Sequence, residues 1–591
     1  MKKIVYILIV STLMLVSCDD ILDKEPLGII SDATVWNDQI LIDAFLTQCY
    51  IEMYVFDNEN PSKMDGNGLW QGMYMINSIS DESKAYATWS GNAYKFKFGT
   101  LLISGGLLEW WETPYKTIRR LNEFIERIAD APIEASFAKQ RVAEARFLRA
   151  FNYFAMVKRY GGVPLITKLQ NLNDPEEILF PKRATEQEIY DFIISEMDAI
   201  VIDLPETYSS ADYGRPTRYA ALALKCRAAL YAGSIAQFGQ VQLDGVVGIN
   251  NSLTNSYYEK SFGAAQEIIN SNKHALYNQD ANKTTNFRNV FMVERNSEAI
   301  FVRQHDNVAK NTGGNGSNYD FFQQPAPNGW GDGNADNPYL EMVEEFEYAD
   351  GKPGTLDRAE IQNGLWTTNE LWANRDPRFY ATIYTQDTPW KGTKIDLHQG
   401  IITTEGTTVN TGSYNGILAR GPQAGRAGFG VLKYLDESKN NKTDNLSTKT
   451  DWIVFRYAEI LLNYAEAAFE LGKTSDALNA INQIRERAGI ALLSNIDREK
   501  IRHERKVELA FEGHRYWDLR RWRIATTALT RDFSGLRYVL DYETKKFQLI
   551  VMPQIDGSVN TPKFYERNYY FPITLARTGN NPKLVENPGY E

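Results

Sequence analysis

Apolar residues recur at helical spacing through most of the chain. Residues 34–54 carry Trp36, Ile40, Phe45 and Tyr50 at near-helical intervals, which predicts a first helix. Trp111, Tyr115, Ile118, Asn122 and Ile125 fall on one stripe of a second, an arrangement that assigns Trp111 to the core. Residues 142–160 are dense in Ala145, Phe147, Leu148, Ala150, Phe154 and Val157 and stop at Gly161-Gly162 with Pro164 beyond, which is helix-stop chemistry. Thr185-Glu186-Gln187-Glu188 is a capping box opening a helix to Ile202, closed by Pro205. Residues 217–238 and 257–270 form a further pair in which Ala220, Ala223, Ala228, Ala229 and Ala232 allow close helix approach.

The clearest hairpin comes late. Residues 452–471, a Gly472-Lys473 turn and residues 475–488 place Tyr464, Ala465, Ala468, Leu471, Ala477 and Ile481 where they resemble one tetratricopeptide repeat. The earlier pairs look like the same unit with insertions between its helices. The fold expected is mainly α, a tetratricopeptide-like stack of helical hairpins.

Two stretches break the helical texture. Residues 57–99 are rich in Asn, Gly, Ser and Asp, with Trp70, Tyr74, Trp89 and Tyr94 spread through them. Residues 306–450 shift to Gly, Asn, Thr and Asp with Trp330, Trp366, Trp372 and Trp390, too aromatic for a disordered linker. They read as a loop-rich insertion packed on the scaffold, which would hold exposed rings in a defined geometry. The expected organisation is a leader (1–17), a tether (18–30), an N-terminal helical region with a ligand loop near 57–99 (31–305), the insertion (306–450) and a C-terminal region (451–591).

The leader changes the picture of where the chain works. Lys2 and Lys3, an apolar run over 4–16 and Ser17-Cys18 resemble a bacterial lipoprotein signal, cleaved before Cys18 and acylated on it. The run is shorter than the roughly 20 residues of a spanning helix. Asp19, Asp20, Asp23 and Glu25 look like the surface-export signal of Bacteroidetes lipoproteins, so the domain is expected on the outer membrane, facing the exterior. Losing the leader makes the formal charge of -11 two units more negative. A dispersed acidic surface argues against nucleic acid, which needs a basic patch. With Cys18 spent on lipid, Cys49 and Cys226 are expected as buried free thiols, and no zinc spacing exists.

A sugar presents an apolar C–H face and a rim of hydroxyls, which suit flat aromatic rings and amide or carboxylate side chains. Two stretches offer both: Trp89-Ser90-Gly91-Asn92-Ala93-Tyr94, and Asn318-Tyr319-Asp320-Phe321 leading to Trp330. The candidate ligand residues are Trp89, Asn92, Tyr94, Tyr319, Phe321 and Trp330. Asp332-Gly333-Asn334-Ala335-Asp336 resembles the start of a calcium loop, but Asn337 replaces the turn glycine and Val343 the bidentate glutamate. A solvated Asx-rich turn is the expectation, with structural calcium open only through another ligand set, and no cofactor is assigned. His503-Glu504 lacks the second histidine of a zincin, since Val507 holds that place, and Gly425 to Gly430 misses dinucleotide-loop spacing. No catalytic residue is assigned.

Phe147-Leu148-Arg149-Ala150, Arg375-Asp376-Pro377-Arg378, Tyr457-Ala458-Glu459-Ile460-Leu461-Leu462-Asn463-Tyr464-Ala465-Glu466-Ala467 and the long run from Arg505 through Gly513-His514-Arg515-Tyr516-Trp517-Asp518 to Trp522 form a series that ends in Asn587-Pro588-Gly589-Tyr590. Over essentially the full chain it resembles the SusD/RagB family of outer-membrane lipoproteins. The resemblance implies a non-catalytic surface protein that captures a glycan and passes it to a SusC-like TonB-dependent barrel. Peptide capture, as in the RagB branch, is the alternative, and a surface glycosidase or a pure interaction scaffold are the others. The residues themselves read the run 502–523 structurally: Arg505, Arg515, Arg520 and Arg521 can pair with Glu508, Glu512 and Asp518 if the chain bends near Gly513, bracing helix packing.

Overall fold

The computed structural model describes residues 32–56, 75–85, 96–100, 108–308, 316–317, 319–325, 333–420, 426–438, 448–557 and 561–591. Helix α1 (Gln39–Ile51) starts where the Asp38 carboxylate accepts the Ile40 amide at 2.7 Å. It lies against α2 (Glu112–Ile128) and α3 (Ala135–Tyr160), and α3 ends at Gly161 with φ +72°. Then follow α4 (Glu186–Ile200), opened by the expected Thr185/Glu188 capping box, α5 (Arg218–Phe238) and α6 (Thr254–Ser271). Helix α5 is buried on nearly every face, and Gly233 is where the Tyr258 ring of α6 lies so close that an added Cβ would meet it at 3.0 Å. Two late helices, α7 (Tyr457–Glu470) and α8 (Thr474–Ala488), turn about Gly472 at φ +76°.

From α2 to α8 each helix packs on the next. The step from α6 to α7 spans the whole insertion, yet Phe262 of α6 stacks on Tyr464 of α7 at 4.5 Å, so the helical stack closes across it. This is the tetratricopeptide-like scaffold expected, mainly helical. One boundary differs. The stretch Trp452–Arg456 is a strand paired antiparallel with Ala299–Arg303, because WIVFR is β-branched and aromatic and finds a buried partner edge there.

A second core lies beside the scaffold. Tyr339, Leu340, Val343, Phe346, Trp372 and Phe379 of the insertion pack with Val507, Phe511, Leu536, Tyr538 and Leu549 from the C-terminal part. A five-stranded sheet runs Leu365–Trp366, Phe547–Met552, Gly535–Asp541, Ile401–Ile402, Thr408–Val409, with Gly535–Asp541 parallel to Ile401–Ile402. The insertion therefore shares its core with the C-terminal strands. Trp372 and Trp390 are buried packing residues, so these two of the insertion's rings are not among any that it exposes.

Helices α9 (Arg498–Glu508) and α10 (Arg515–Arg521) are separated by a bend in which Phe511 and Gly513 both have positive φ, as the pattern around Gly513 requires. The charges around them are braced more widely than expected. Arg505 and Arg521 share Asp518 at 2.7 and 2.8 Å, but Arg515 reaches Asp81. Glu508 and Glu512 take Arg456, which also holds Glu298, at 2.7 Å in each case. Arg378 holds Asp376, Glu504 and Glu508 at 2.7, 2.6 and 2.9 Å. Cys49 and Cys226 are separate buried thiols, each pushed up to about 12, chiefly by burial. Among the described residues no helix is long and apolar enough to cross a membrane.

Candidate functional site

The segments that carry the candidate rings are rooted in one small platform. Asn77 closes a helical turn (Met75–Ser78), Ser80 donates to Asn77 O at 2.6 Å, and the chain enters the strand Ser83–Ala85. That strand pairs antiparallel with Asp336–Pro338 in the register Ser83 to Pro338, Lys84 to Asn337 and Ala85 to Asp336. Residues 86–95 follow Ala85, and residues 326–332 precede Asp336 by a few positions. Both segments thus join the platform at the same end of one ladder. The far root of the first is Lys97, whose ammonium donates to Ser83 O at 2.9 Å and to the Tyr339 hydroxyl. The near root of the second is the helix Tyr319–Gln323: Ala335 N donates to Phe322 O at 3.0 Å and Asn334 N to Gln324 O at 2.8 Å.

The centre of the platform is a carboxylate held by neutral groups. Asp336 accepts from Asn77 Nδ2, Ser83 Oγ and Gln323 Nε2, each at 3.1 Å. Glu82 accepts the Phe511 amide at 2.9 Å and the Ser80 hydroxyl at 3.2 Å. Burial pushes both acids up to about 7, against the lowering pull of those hydrogen bonds. Burial pushes the Lys97 ammonium down to about 8. For Asp81 burial works in the same raising direction but loses: Arg515 at 2.8 Å and Lys506 at 3.1 Å hold it well below the usual carboxylate range. These two cations, with the Phe511 amide, fasten the platform to the C-terminal motif.

Asn334, Asp336 and Asn337 are buried, so the Asx-rich stretch is not the solvated turn expected from its composition. Its backbone is spent on strand pairing and its carboxylate on the ladder's other strand. Among the described residues no group of three His, Cys, Asp or Glu could hold a metal ion.

Of the sequence candidates, Cys18, Trp89, Asn92, Tyr94 and Trp330 lie outside the described residues, as do Trp70, Tyr74 and Asp332. Tyr319 is only 3% exposed, its ring set against the stacked pair Tyr434 and Trp452 and its hydroxyl donating to Lys433 O at 2.8 Å. It is a buried packing residue, with no free ring face. Phe321 is half-buried, edge-on to Phe322 at 5.0 Å. Sequence reasoning missed Asn77, Glu82, Ser83, Lys97 and Gln323. An acidic pair, Asp81-Glu82, next to apolar Ile76 and Ile79 was the one local signal, and its meaning rests on partners some 250 or more positions away.

Residues 297–590 match the model of the SusD family, and residues 22–230 match a second model described as starch-binding associating with outer membrane. A SusD-like protein, P38, of Formosa agariphila is 25% identical over 539 residues, covering 88% of this chain and 90% of that protein. A SusD-like protein of Bacteroides ovatus is 23% identical, covering 100% and 98%. Among solved structures, a SusD-like protein of Bacteroides fragilis superposes with a TM-score of 0.73 at 27% identity, covering 96% of this chain and 100% of the other. A laminarin binding SusD-like protein shares the fold at a TM-score of 0.59 and 20% identity, covering 94% and 100%.

Proposed function

This chain is a member of the SusD family, and on that premise we propose that it captures an oligosaccharide at the cell surface and passes it to a SusC-like TonB-dependent barrel. It does so without catalysis, tethered to the outer membrane through acylated Cys18 and facing the exterior. The single observation that supports the assignment of the site is the pairing of Ala85 with Asp336, which roots the segment of Trp89, Asn92 and Tyr94 beside the segment of Trp330. Rings on two chain segments that share a root can address the two faces or successive units of one sugar chain, with Phe321 at the flank and Tyr319 buried. The tether raises the effective concentration of the domain at its barrel.

The test is binding of residues 19–591 to a panel of polysaccharides and peptides, with reducing ends assayed in the same wells. One glycan class should bind without new reducing ends. Replacing Trp89, Tyr94 and Trp330 together by Ala should weaken that binding at least about tenfold, given that a ring contact contributes about 0.5–1.5 kcal/mol. Retained affinity in the triple variant would remove the site, new reducing ends would make the protein an enzyme, and peptide-only binding would replace the cargo.

A further inference from the structure

Lys97 and Asp556 stand far apart in the chain and face each other in the interior. Their side chains are 5% and 2% exposed, and Lys97 Nζ lies 3.9 Å from Asp556 Oδ1. The backbone holds both partners in place. Asp556 sits in the turn that Gly557 N closes on Gln554 O at 2.9 Å, and its neighbour Ile555 N donates to Phe533 O at 3.0 Å. Lys563 N donates to Lys97 O at 2.8 Å, which fastens the same C-terminal stretch to the backbone of Lys97. Between the two side chains stands Tyr339, fully buried, its ring stacked on Phe533 at 4.3 Å and the Lys97 ammonium 4.5 Å from its centre. The Tyr339 hydroxyl accepts from Lys97 Nζ and donates to Asp556 Oδ2 at 2.6 Å. Asp556 Oδ1 is buried and accepts no hydrogen bond.

Two other buried lysines meet buried acids, and in both cases a guanidinium holds the acid as well. Lys506 shares Asp81 with Arg515, its second acid Glu345 being partly exposed, and Lys433 shares Glu512 with Arg456. A carboxylate so held stays ionised. Among the described residues Asp556 makes one ion pair, to Lys97. Burial pushes the Lys97 ammonium down to about 8, against the pull of Asp556, Asp81 and Asp336 and with the push of Lys84. In a dry site the charged pair loses its advantage over the neutral one, and the two differ by the place of a single proton. The Tyr339 hydroxyl is the path for that proton: it takes one from Nζ and gives its own to Oδ2. What results is a neutral amine, a carboxylic acid and an unchanged phenol, the reactants of an amide condensation. The flexible four-carbon stem of Lys97 lets Nζ close to the near-attack distance of about 3–3.5 Å.

We propose that Lys97 and Asp556 form a self-modifying site that closes into an intramolecular isopeptide bond, with Tyr339 as the proton carrier. The neutral Nζ attacks Asp556 Cγ and the N–C bond forms. One Nζ proton passes through the Tyr339 hydroxyl to Oδ2, the Cγ–Oδ2 bond breaks and one water leaves, with Oδ1 kept as the amide oxygen. No further reactant is consumed. The product fastens the root of the platform to the C-terminal turn covalently, whatever ligand the protein takes. The test is the intact mass of folded residues 19–591 held at pH 8, followed by sequencing of their tryptic peptides. The wild type should be lighter than its sequence by one water, with a branched peptide joining Lys97 to Asp556. Lys97→Met should keep its full sequence mass, and Asp556→Asn should form the same bond and be lighter by one ammonia. Tyr339→Phe keeps the ring on Phe533 and should gain the bond at least about a hundredfold more slowly, the lower end of what a positioned proton carrier supplies. A folded wild type at full sequence mass overturns the proposal, as does the loss of one water with linear peptides alone. Both readings come from the wild type and decide the matter even where Lys97→Met fails to fold. Bond formation in Tyr339→Phe at the wild-type rate overturns the part given to the hydroxyl.

Discussion

Two buried polar regions of this protein hold carboxylates in opposite ways. In the C-terminal network, Glu504 and Glu508 sit against Arg378, Arg485, Arg456 and Arg487. Burial raises their proton affinity, but the guanidiniums outweigh it and both acids end below their usual range. In the platform, Asp336 and Glu82 meet amides, hydroxyls and a backbone N–H, and burial wins. The first arrangement locks helices, since every charge has a fixed counter-charge. The second leaves a local structure whose charge state is set near neutral pH, at the root of the segments assigned to the ligand. Rigidity and adjustability are thus divided between two regions tied together by the Glu82 carboxylate on the Phe511 amide and by Arg515 and Lys506 on Asp81.

The strongest way to break this comparison is to remove one guanidinium. Arg456→Met would leave Glu298, Glu508 and Glu512 buried without that partner, and we expect a loss of about 3–5 kcal/mol, read as a shift in the denaturant midpoint. Asp336→Asn keeps the size of the side chain and removes a charge that burial already disfavours. It should change stability at neutral pH by about 1 kcal/mol or less. Equal losses in the two variants would mean that Asp336 is as firmly ionised as the network acids, and the contrast would fall.

The next test is the sign of the pH dependence, followed by hydrogen exchange in each region. For Glu504 and Glu508 the folded pKa is depressed, so their contribution is present above the unfolded value of about 4.3 and is lost as pH falls below it. For Asp336 and Glu82 the folded pKa is raised to about 7. Their contribution is complete below the unfolded value and is lost as pH rises toward and through 7. Amides of Ser83–Ala85 and Asp336–Pro338 should therefore exchange faster, after correction for intrinsic rates, at pH 8 than at pH 5. Those of α9 should show no such rise over that interval and should loosen only in acid. Asp336→Asn should remove about half of the platform's slope, the rest being that of Glu82.

The scaffold was legible because its signals are local. The Thr185/Glu188 box, the glycine after Tyr160 and the Gly472 turn each act within a few residues. The strand Trp452–Arg456 was read as helix because its pairing partner, Ala299–Arg303, lies some 150 positions earlier and leaves no mark nearby. The platform was illegible for the same reason on a larger scale. Nothing in Asn77, Ser83 or Gln323 alone announces that they converge on Asp336, and the Asx-rich composition around Asn334 and Asp336 pointed to a solvated turn where the fold makes a buried ladder. Trp111 shows the converse limit: read as core, it is half-buried beside a groove of about 1140 Å³, since a helical stripe gives a face but not whether a groove opens beside it.

The smallest expected effect separates two neighbours that the sequence treated alike. Tyr319 and Phe321 share one short helix, but Tyr319 lies inside, bonded to Lys433 O, while Phe321 keeps part of its ring in solvent. Tyr319→Phe removes one buried hydrogen bond and should cost about 1 kcal/mol of stability with glycan affinity unchanged. Phe321→Ala should cost no more than about 1–2 kcal/mol of stability, because part of the ring is in solvent already. If its exposed part extends the sugar surface, affinity should drop by about two- to tenfold, the worth of one ring contact. Calorimetric titration of both variants with the glycan found for the wild type decides the matter. A binding loss in Tyr319→Phe and none in Phe321→Ala would invert the roles and would mean that the ligand is felt through the helix's buried face rather than its open one.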